Sequence, residues 1–318
     1  MKPVLVAFSL LTGAPSAPVL PHVALPAAQQ APAATTAAPA LLAEPTVLSA
    51  AAPPDAAAPL PDAAKEVRYL LVRGLFGNHT SDYFDGNLRR LKSLGLDARD
   101  VLIDTEGHRM ADLRAIETAV AASPKPVVLI GHSRGGILAH DWYRRAAPEL
   151  KSKVARLVAV QSPLRGTPLA DEKVATRWGR LKTYWAGRLL FGEETFRTTV
   201  ELTTRVRARV MAGLPQWTPE DLKKTYAVRS VIRFIKRHPY YKSSHAALTR
   251  LGSPDNDGRV PADSARIPGA GEVLLPDVDH DNTVIKNPGW FKRLQGARAN
   301  PDFDPGDFTE ALVRSLFR

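Results

Sequence analysis

The residues best placed to do chemistry are Gly131-His132-Ser133-Arg134-Gly135-Gly136. They form a G-x-S-x-G pattern that follows the apolar run Val127-Val128-Leu129-Ile130 and precedes a helical pattern over residues 135–145. A serine raised on a tight turn between a strand and a helix exposes its hydroxyl as a nucleophile, and the flanking glycines let the two elements approach closely. The helix N-terminus adds a backbone N–H and the positive end of a dipole. A serine hydroxyl is a weak nucleophile, so it needs a base, and the base needs an acid to orient it.

His140, His238, His245 and His280 follow Ser133 outside the motif. His140 lies about two turns along the same helix and points off the turn. His238 sits in the basic stretch Lys236-Arg237-His238-Pro239, and His245 follows Ser243-Ser244, where it could cap or pack. His280 follows the apolar run Val273-Leu274-Leu275, where a late loop can swing onto the nucleophile, and is the preferred base. Asp255, Asp257 and Asp263 stand in the right order to orient it, and Asp277 and Asp279 are nearer in sequence. Asp257 is preferred, because the turn Asn256-Asp257-Gly258 can present a carboxylate while the glycine takes a positive φ. Asp255 is its alternative, and an Asp-Gly turn with no catalytic part stays open. A tetrahedral oxyanion needs two N–H donors. Arg134, directly after the nucleophile, is expected to supply one. Leu75, in Arg73-Gly74-Leu75-Phe76-Gly77, is expected to supply the other, with Phe76 the alternative.

The elements that must hold these groups are legible as a rhythm. Short apolar runs over 67–72, 101–104, 127–130 and 157–160 alternate with helical patterns over 84–94, 113–120 and 135–145. That alternation predicts an α/β fold with a mostly parallel central sheet and helices on both faces. Residues 163–225, rich in Arg, Lys and Trp, interrupt it and read as a helical insertion. Trp178, Leu181, Trp185 and Leu189 fall on one helical face there, with Arg180, Lys182 and Arg188 elsewhere around it. The expectation is a cap or lid over the nucleophile, apolar side inward and basic side outward, where it could also rest on an anionic membrane surface.

Composition narrows the field. The chain has 318 residues, no cysteine and a formal net charge of +11. A disulfide scaffold, a thiolate zinc site and a cysteine nucleophile are excluded. The positive charge is spread, few aromatics lie beside the basic stretches, and no nucleic-acid motif accompanies them, so a nucleic-acid partner is not expected. Of residues 1–64, 21 are Ala and 12 are Pro, too little apolar bulk to build a core. Within that stretch Lys2, the run from Val4 to Leu11 and the small residues Ala14 to Ala17 read as a secretory signal over 1–17. Residues 18–64 are then expected to be a solvated Ala/Pro tether, and 65–318 the folded body of an exported protein, periplasmic or extracellular.

Taken together, these residues resemble the α/β-hydrolase superfamily, and within it the secreted bacterial triacylglycerol lipases and esterases. The resemblance runs over about residues 67–290. It includes the glycine-containing loop Arg73-Gly74-Leu75, the nucleophile turn at Ser133, and Asn256-Asp257-Gly258 and Asp279-His280 near its end. It also includes Gln161-Ser162-Pro163-Leu164-Arg165-Gly166-Thr167-Pro168-Leu169-Ala170-Asp171, similar to the lipases' T-P-H-x-G-S-x-x-A-D segment. The resemblance implies that Ser133, Asp257 and His280 form the triad of a carboxylic ester hydrolase acting on a small-molecule or lipid ester, with no cofactor. Arg73 and Leu164 stand where the lipases usually carry histidine, which puts the substrate, rather than the chemistry, in question. Many of those lipases hold a structural calcium near the catalytic histidine, and Asp277, Asp279 and Asp281 could ligate one. An acyltransferase or amidase using the same triad, or a non-catalytic envelope-binding protein on the same scaffold, are the rival readings.

Overall fold

The computed structural model describes Thr46–Val47 and residues 59–318 apart from 192, 193 and 295. The expected secretory signal at 1–17 lies outside the described residues, as does most of the expected tether. The sheet is wholly parallel, in the order β1-β7-β6-β5-β4-β2-β3. Its strands are β1 (Thr46–Val47), β2 (Arg68–Val72), β3 (Asp97–Asp100), β4 (Val127–His132), β5 (Val154–Val160), β6 (Thr225–Val231) and β7 (Gly271–Pro276).

Helices cover both faces because the strands are apolar on both. Along β2, Tyr69 and Leu71 point into one core with Phe84, Leu91 and Leu312. Leu70 and Val72 point into the opposite core with Ile116, Leu138 and Trp142. Two-faced burial of this kind reads in a sequence as a continuous apolar run rather than an alternation.

Three local expectations need correction. The strand near 101–104 lies earlier, at Asp97–Asp100, a polar stretch on the sheet edge. Val101 still donates to Leu71 O, but Leu102 is 88% exposed between buried Val101 and Ile103. β6 was hidden in the expected insertion and the basic stretch after it. Arg229 interrupts its apolar pattern, and Glu272 on β7 neutralises that arginine across the ladder. Finally, two pieces of the expected tether, Thr46–Val47 and the turn at Asp62–Ala64, are built into the fold. Thr46–Val47 pair with Val273 and Leu274 and so occupy the otherwise open edge of β7. Ala64 is fully buried and its carbonyl accepts the Tyr69 hydroxyl at 2.9 Å.

The chain order places the reactive loops. After β2 the chain goes outward to β3 and then returns to β4 on the other side of β2. In open parallel sheets such a reversal leaves a crevice beyond the strand C-termini, where ligands bind. The loop after β2 and the turn after β4 both open into it.

Candidate active site

Ser133 follows β4 directly and caps the helix Arg134–Arg145 with φ 54° and ψ −122°. A non-glycine residue in this conformation is strained. The strain is held by close packing at its neighbours. A Cβ on Gly135 would lie 2.2 Å from Val72 O, and one on Gly131 2.5 Å from the Gly136 backbone. No side chain fits either place, so the helix meets β2 and β4 at backbone distance. Gly74, in the loop after β2, is equally tight, since a Cβ there would lie 2.9 Å from Ser133 Cβ.

The structure brings Ser133, His280 and Asp257 together. Ser133 Oγ lies 3.0 Å from His280 Nε2, and His280 Nδ1 lies 2.8 Å from Asp257 Oδ2. Asp257 Oδ1 accepts the N–H groups of Arg259 and Val260 at 2.8 and 2.7 Å. An ionised carboxylate can only accept, so Nδ1 carries the imidazole proton and the Nε2 lone pair faces the serine. The His280 N–H also donates to Asp257 O, which ties the two loops by backbone. Asp257 and His280 are buried, whereas Ser133 is half-buried and open to an incoming carbonyl.

The other sequence candidates lie elsewhere. His140 is buried against Asp141 at 2.6 Å. His245 sits on the helix Lys242–Arg250, and Asp255 pairs with Arg233 on the surface. Arg134 begins the helix, so its N–H lies at the helix N-terminus. Its side chain turns away, to Asp112 at 2.8 Å and to the carbonyls of Thr105 and Gly107. Arg73, which stands where a histidine is usual in the resembling lipases, pairs with Asp100 at 2.5 Å and donates to Gly77 O. It therefore braces the Leu75 loop from behind. Leu164, at the other departure, is fully buried beside Ile137 and Ala159.

The acidic turn is organised by protein groups. Asp277 accepts the N–H groups of Arg233 and Phe234 and faces Arg237. Asp281 pairs with Lys292 at 2.7 Å. Asp279 accepts from the Asp281 and Asn282 N–H groups and lies 2.9 Å from His238 Nδ1. The three carboxylates that could ligate calcium thus face protein groups, with His238 lying against both Asp277 and Asp279. Among the described residues no group of three or more metal-ligating side chains is arranged to hold a metal.

The His238–Asp279 pair fastens the turn that leads into His280. Burial disfavours charge on His238, but the hydrogen bond and charge of Asp279, with Asp277 beyond, outweigh it and raise its pKa. A raised folded-state value means the pair stabilises the fold fully below the unfolded value of about 6.5. That contribution is lost as pH rises through the folded value. Unfolding free energy measured from pH 5 to 9 is therefore expected to fall more steeply for wild type than for His238→Gln. Parallel curves would refute the assignment.

Sequence reasoning missed Tyr83, His132 and Gln161, which surround the triad from below. Tyr83 OH lies 2.6 Å from His132 Nδ1, and His132 Nε2 lies 2.9 Å from His280 O. Gln161, at φ 47° after β5, donates to Asp279 O and accepts the Thr283 hydroxyl at 2.6 Å. His132 lies within the recognised motif, but a residue type alone does not tell which backbone groups will surround it.

The segment between β5 and β6 contains the helices Pro168–Ala175, Arg177–Phe191, Thr195–Glu201, Thr204–Ala212 and Pro219–Lys223. Its aromatic face is not turned inward as expected. Trp178, Leu181 and Trp185 are 64%, 45% and 52% exposed. Gly179 and Thr183 take the packed side instead. A Cβ on Gly179 would lie 2.7 Å from Lys173 O, and Thr183 Oγ1 donates to the same carbonyl.

Compared with known proteins, residues 70–294 match the model of the alpha/beta hydrolase family. None of the curated protein sequences matches the chain. Similar solved structures include the metagenomic carboxyl esterase MGS0156, with a TM-score of 0.64 and 22% identity over 79% of this chain and 76% of that one. The mature form of the Bacillus licheniformis lipase BlEst2 gives a TM-score of 0.54 and 20% identity over 69% and 86%. A Staphylococcus hyicus lipase gives 0.56 and 12% over 82% and 98%. At these identities the likeness establishes the fold.

Proposed function

Since the chain belongs to the alpha/beta hydrolase family, we propose that it is a serine hydrolase cleaving carboxylic esters, acyl lipids among them, outside the cytoplasm. The observation that carries this reading is the alignment of Ser133 Oγ, His280 Nε2, His280 Nδ1 and Asp257 Oδ2 through contacts of 3.0 and 2.8 Å. In this reading Ser133 Oγ attacks the ester carbonyl while His280 Nε2 takes its proton. Asp257 holds the tautomer and stabilises the imidazolium. The N–H groups of Leu75 and Arg134 receive the developing oxyanion, the latter reinforced by the helix dipole. Collapse of the intermediate returns the proton from His280 to the leaving alcohol and forms an acyl-enzyme. Water, deprotonated by His280, then releases the acid. No cofactor takes part.

The helices between β5 and β6 act as the cap in this reading. The exposed Trp178, Leu181 and Trp185 beside Arg177 and Arg180 support an ester presented at an apolar, anionic surface. The test is hydrolysis of p-nitrophenyl esters from acetate to palmitate, with and without vesicles of rising anionic content. Turnover that climbs with chain length and with anionic lipid, and falls with salt, is the expected result. A short-chain preference indifferent to vesicles would leave an esterase and remove the membrane surface. Absence of turnover at every length would overturn the ester reading.

A further inference from the structure

A chain of four groups runs beneath the reacting atoms and joins the two loops that flank them. The Gly74 N–H donates to Tyr83 OH at 2.8 Å. Tyr83 OH meets His132 Nδ1 at 2.6 Å, and His132 Nε2 meets His280 O at 2.9 Å. Gly74 immediately precedes Leu75, the expected oxyanion donor, and His280 is the expected base. All the side chains in this chain are buried.

The direction of every bond follows from one end. A carbonyl has no proton, so the bond to His280 O requires hydrogen on His132 Nε2. Burial and the neighbouring His280 push the His132 pKa down to about 3, so the ring is neutral at ordinary pH. A neutral imidazole carries one hydrogen, and Nδ1 is therefore bare. Tyr83 must donate to it, which leaves the phenol oxygen free to accept from Gly74. With a neutral His132 no other arrangement satisfies all three contacts. The ring centroids of His132 and His280 also lie 4.8 Å apart, so the neutral ring packs against the base without adding charge there.

We propose that Tyr83 and His132 are positioning residues, a one-directional hydrogen-bond relay that sets the oxyanion loop and the His280 backbone in mutual register. The inference rests on the ester-hydrolase reading for its kinetic consequence, and on the bonds and the neutrality of the buried His132 ring for its polarity. A relay of this kind touches no substrate. Its loss lowers the rate of the chemical steps and leaves substrate affinity alone, because it places groups that act in the transition state.

Two measurements on the full chain test it. In protein labelled with 15N-histidine and carrying Ser133→Ala, His132 is expected to show bare Nδ1 and protonated Nε2 from pH 5 to 9. Adding Tyr83→Phe should shift Nδ1 toward its free value. A His132 that titrates in this range, or that carries its proton on Nδ1, overturns the relay. For kinetics, Tyr83→Phe and His132→Asn are compared with wild type per active site titrated by a fluorophosphonate, which discounts misfolded protein. His132→Asn can still accept from Tyr83 but cannot donate to His280 O. Each variant is expected to lose about 10- to 100-fold in kcat with KM within about twofold, the scale of a small misplacement of catalytic groups. The double variant should be no worse than the worse single. Unchanged kcat, or losses that multiply independently, would overturn the coupling. Wild-type protein without Ser133-dependent turnover would instead sink the ester reading, and the 15N pattern would still decide the polarity.

Discussion

Ser133→Ala is expected to lower kcat for a p-nitrophenyl ester by roughly five to six orders of magnitude while leaving the fold intact. In the proposed mechanism the three side chains act as a unit, which sets the size. Without Oγ there is nothing for His280 to deprotonate, and the paired Asp257 has no imidazolium to stabilise. What survives is the contribution of the N–H donors and of binding, roughly 10³- to 10⁴-fold over water. The fold should tolerate the change, because alanine keeps the Cβ that already fits against Gly74, and the backbone strain at φ 54° is unchanged. Thermal unfolding should coincide with wild type, and fluorophosphonate labelling should vanish. Residual turnover within tenfold of wild type in folded protein would remove Ser133 from the mechanism.

The second large effect concerns stability. Asp141 lies on the helix after Ser133, fully buried, with Arg207 at 2.6 and 3.0 Å, Arg109 at 2.5 Å and His140 at 2.6 Å. Arg207 is itself buried, and it also donates to Leu164 O. It belongs to the helix Thr204–Ala212, so the pair bolts the segment between β5 and β6 to the nucleophile's helix. Asp141→Ala would strand two guanidinium groups, one of them 1% exposed, and should cost about 3 to 5 kcal/mol. Replacing both partners with apolar residues, Asp141→Leu with Arg207→Met, should restore a large part of that loss. Denaturant unfolding of the two single variants and the double variant measures it. A single-variant loss below about 1 kcal/mol would show that the pair carries little. Burial alone would raise the Asp141 pKa, but its bonds to His140 and Arg207 win and hold it below the usual carboxylate range. The contribution is thus present above the unfolded value of about 3.9 and fades only in strong acid.

Much of the fold was legible because its cause is local. β2, β4 and β5 are buried on both faces over most of their length, so each carries a continuous apolar run, Tyr69 to Val72, Val127 to Ile130 and Leu157 to Val160. The turn at Ser133 was legible because backbone contact there excludes every residue but glycine. β6 was not, because a single arginine broke its run. That arginine is tolerated only because Glu272, far along the chain, lies beside it. The same limit applies to the helix Arg177–Phe191. Its amphipathic spacing was plain, but spacing cannot say which side faces the protein. Contact between Gly179 and the Lys173 carbonyl decided that, and turned the tryptophans outward.

The candidate site divides along the same line. From the residues alone came the expected nucleophile, its preferred base and acid, and the loop after the first long strand. Each carries its own signature: a glycine-flanked serine, a histidine after a late strand, and an aspartate in a glycine turn. The side-chain partners of Arg73 and Arg134 and the places of Tyr83, His132 and Gln161 came only from the tertiary structure. Arg73 could have faced an acidic substrate or a carboxylate of the protein, and the nearness of Asp100 on the neighbouring strand settled it. Tyr83, His132 and Gln161 act through backbone carbonyls and N–H groups brought from distant parts of the chain. Every residue carries those groups, so no residue type advertises them. The sequence determined which atoms could react, and the packing of the sheet's loops determined what surrounds them.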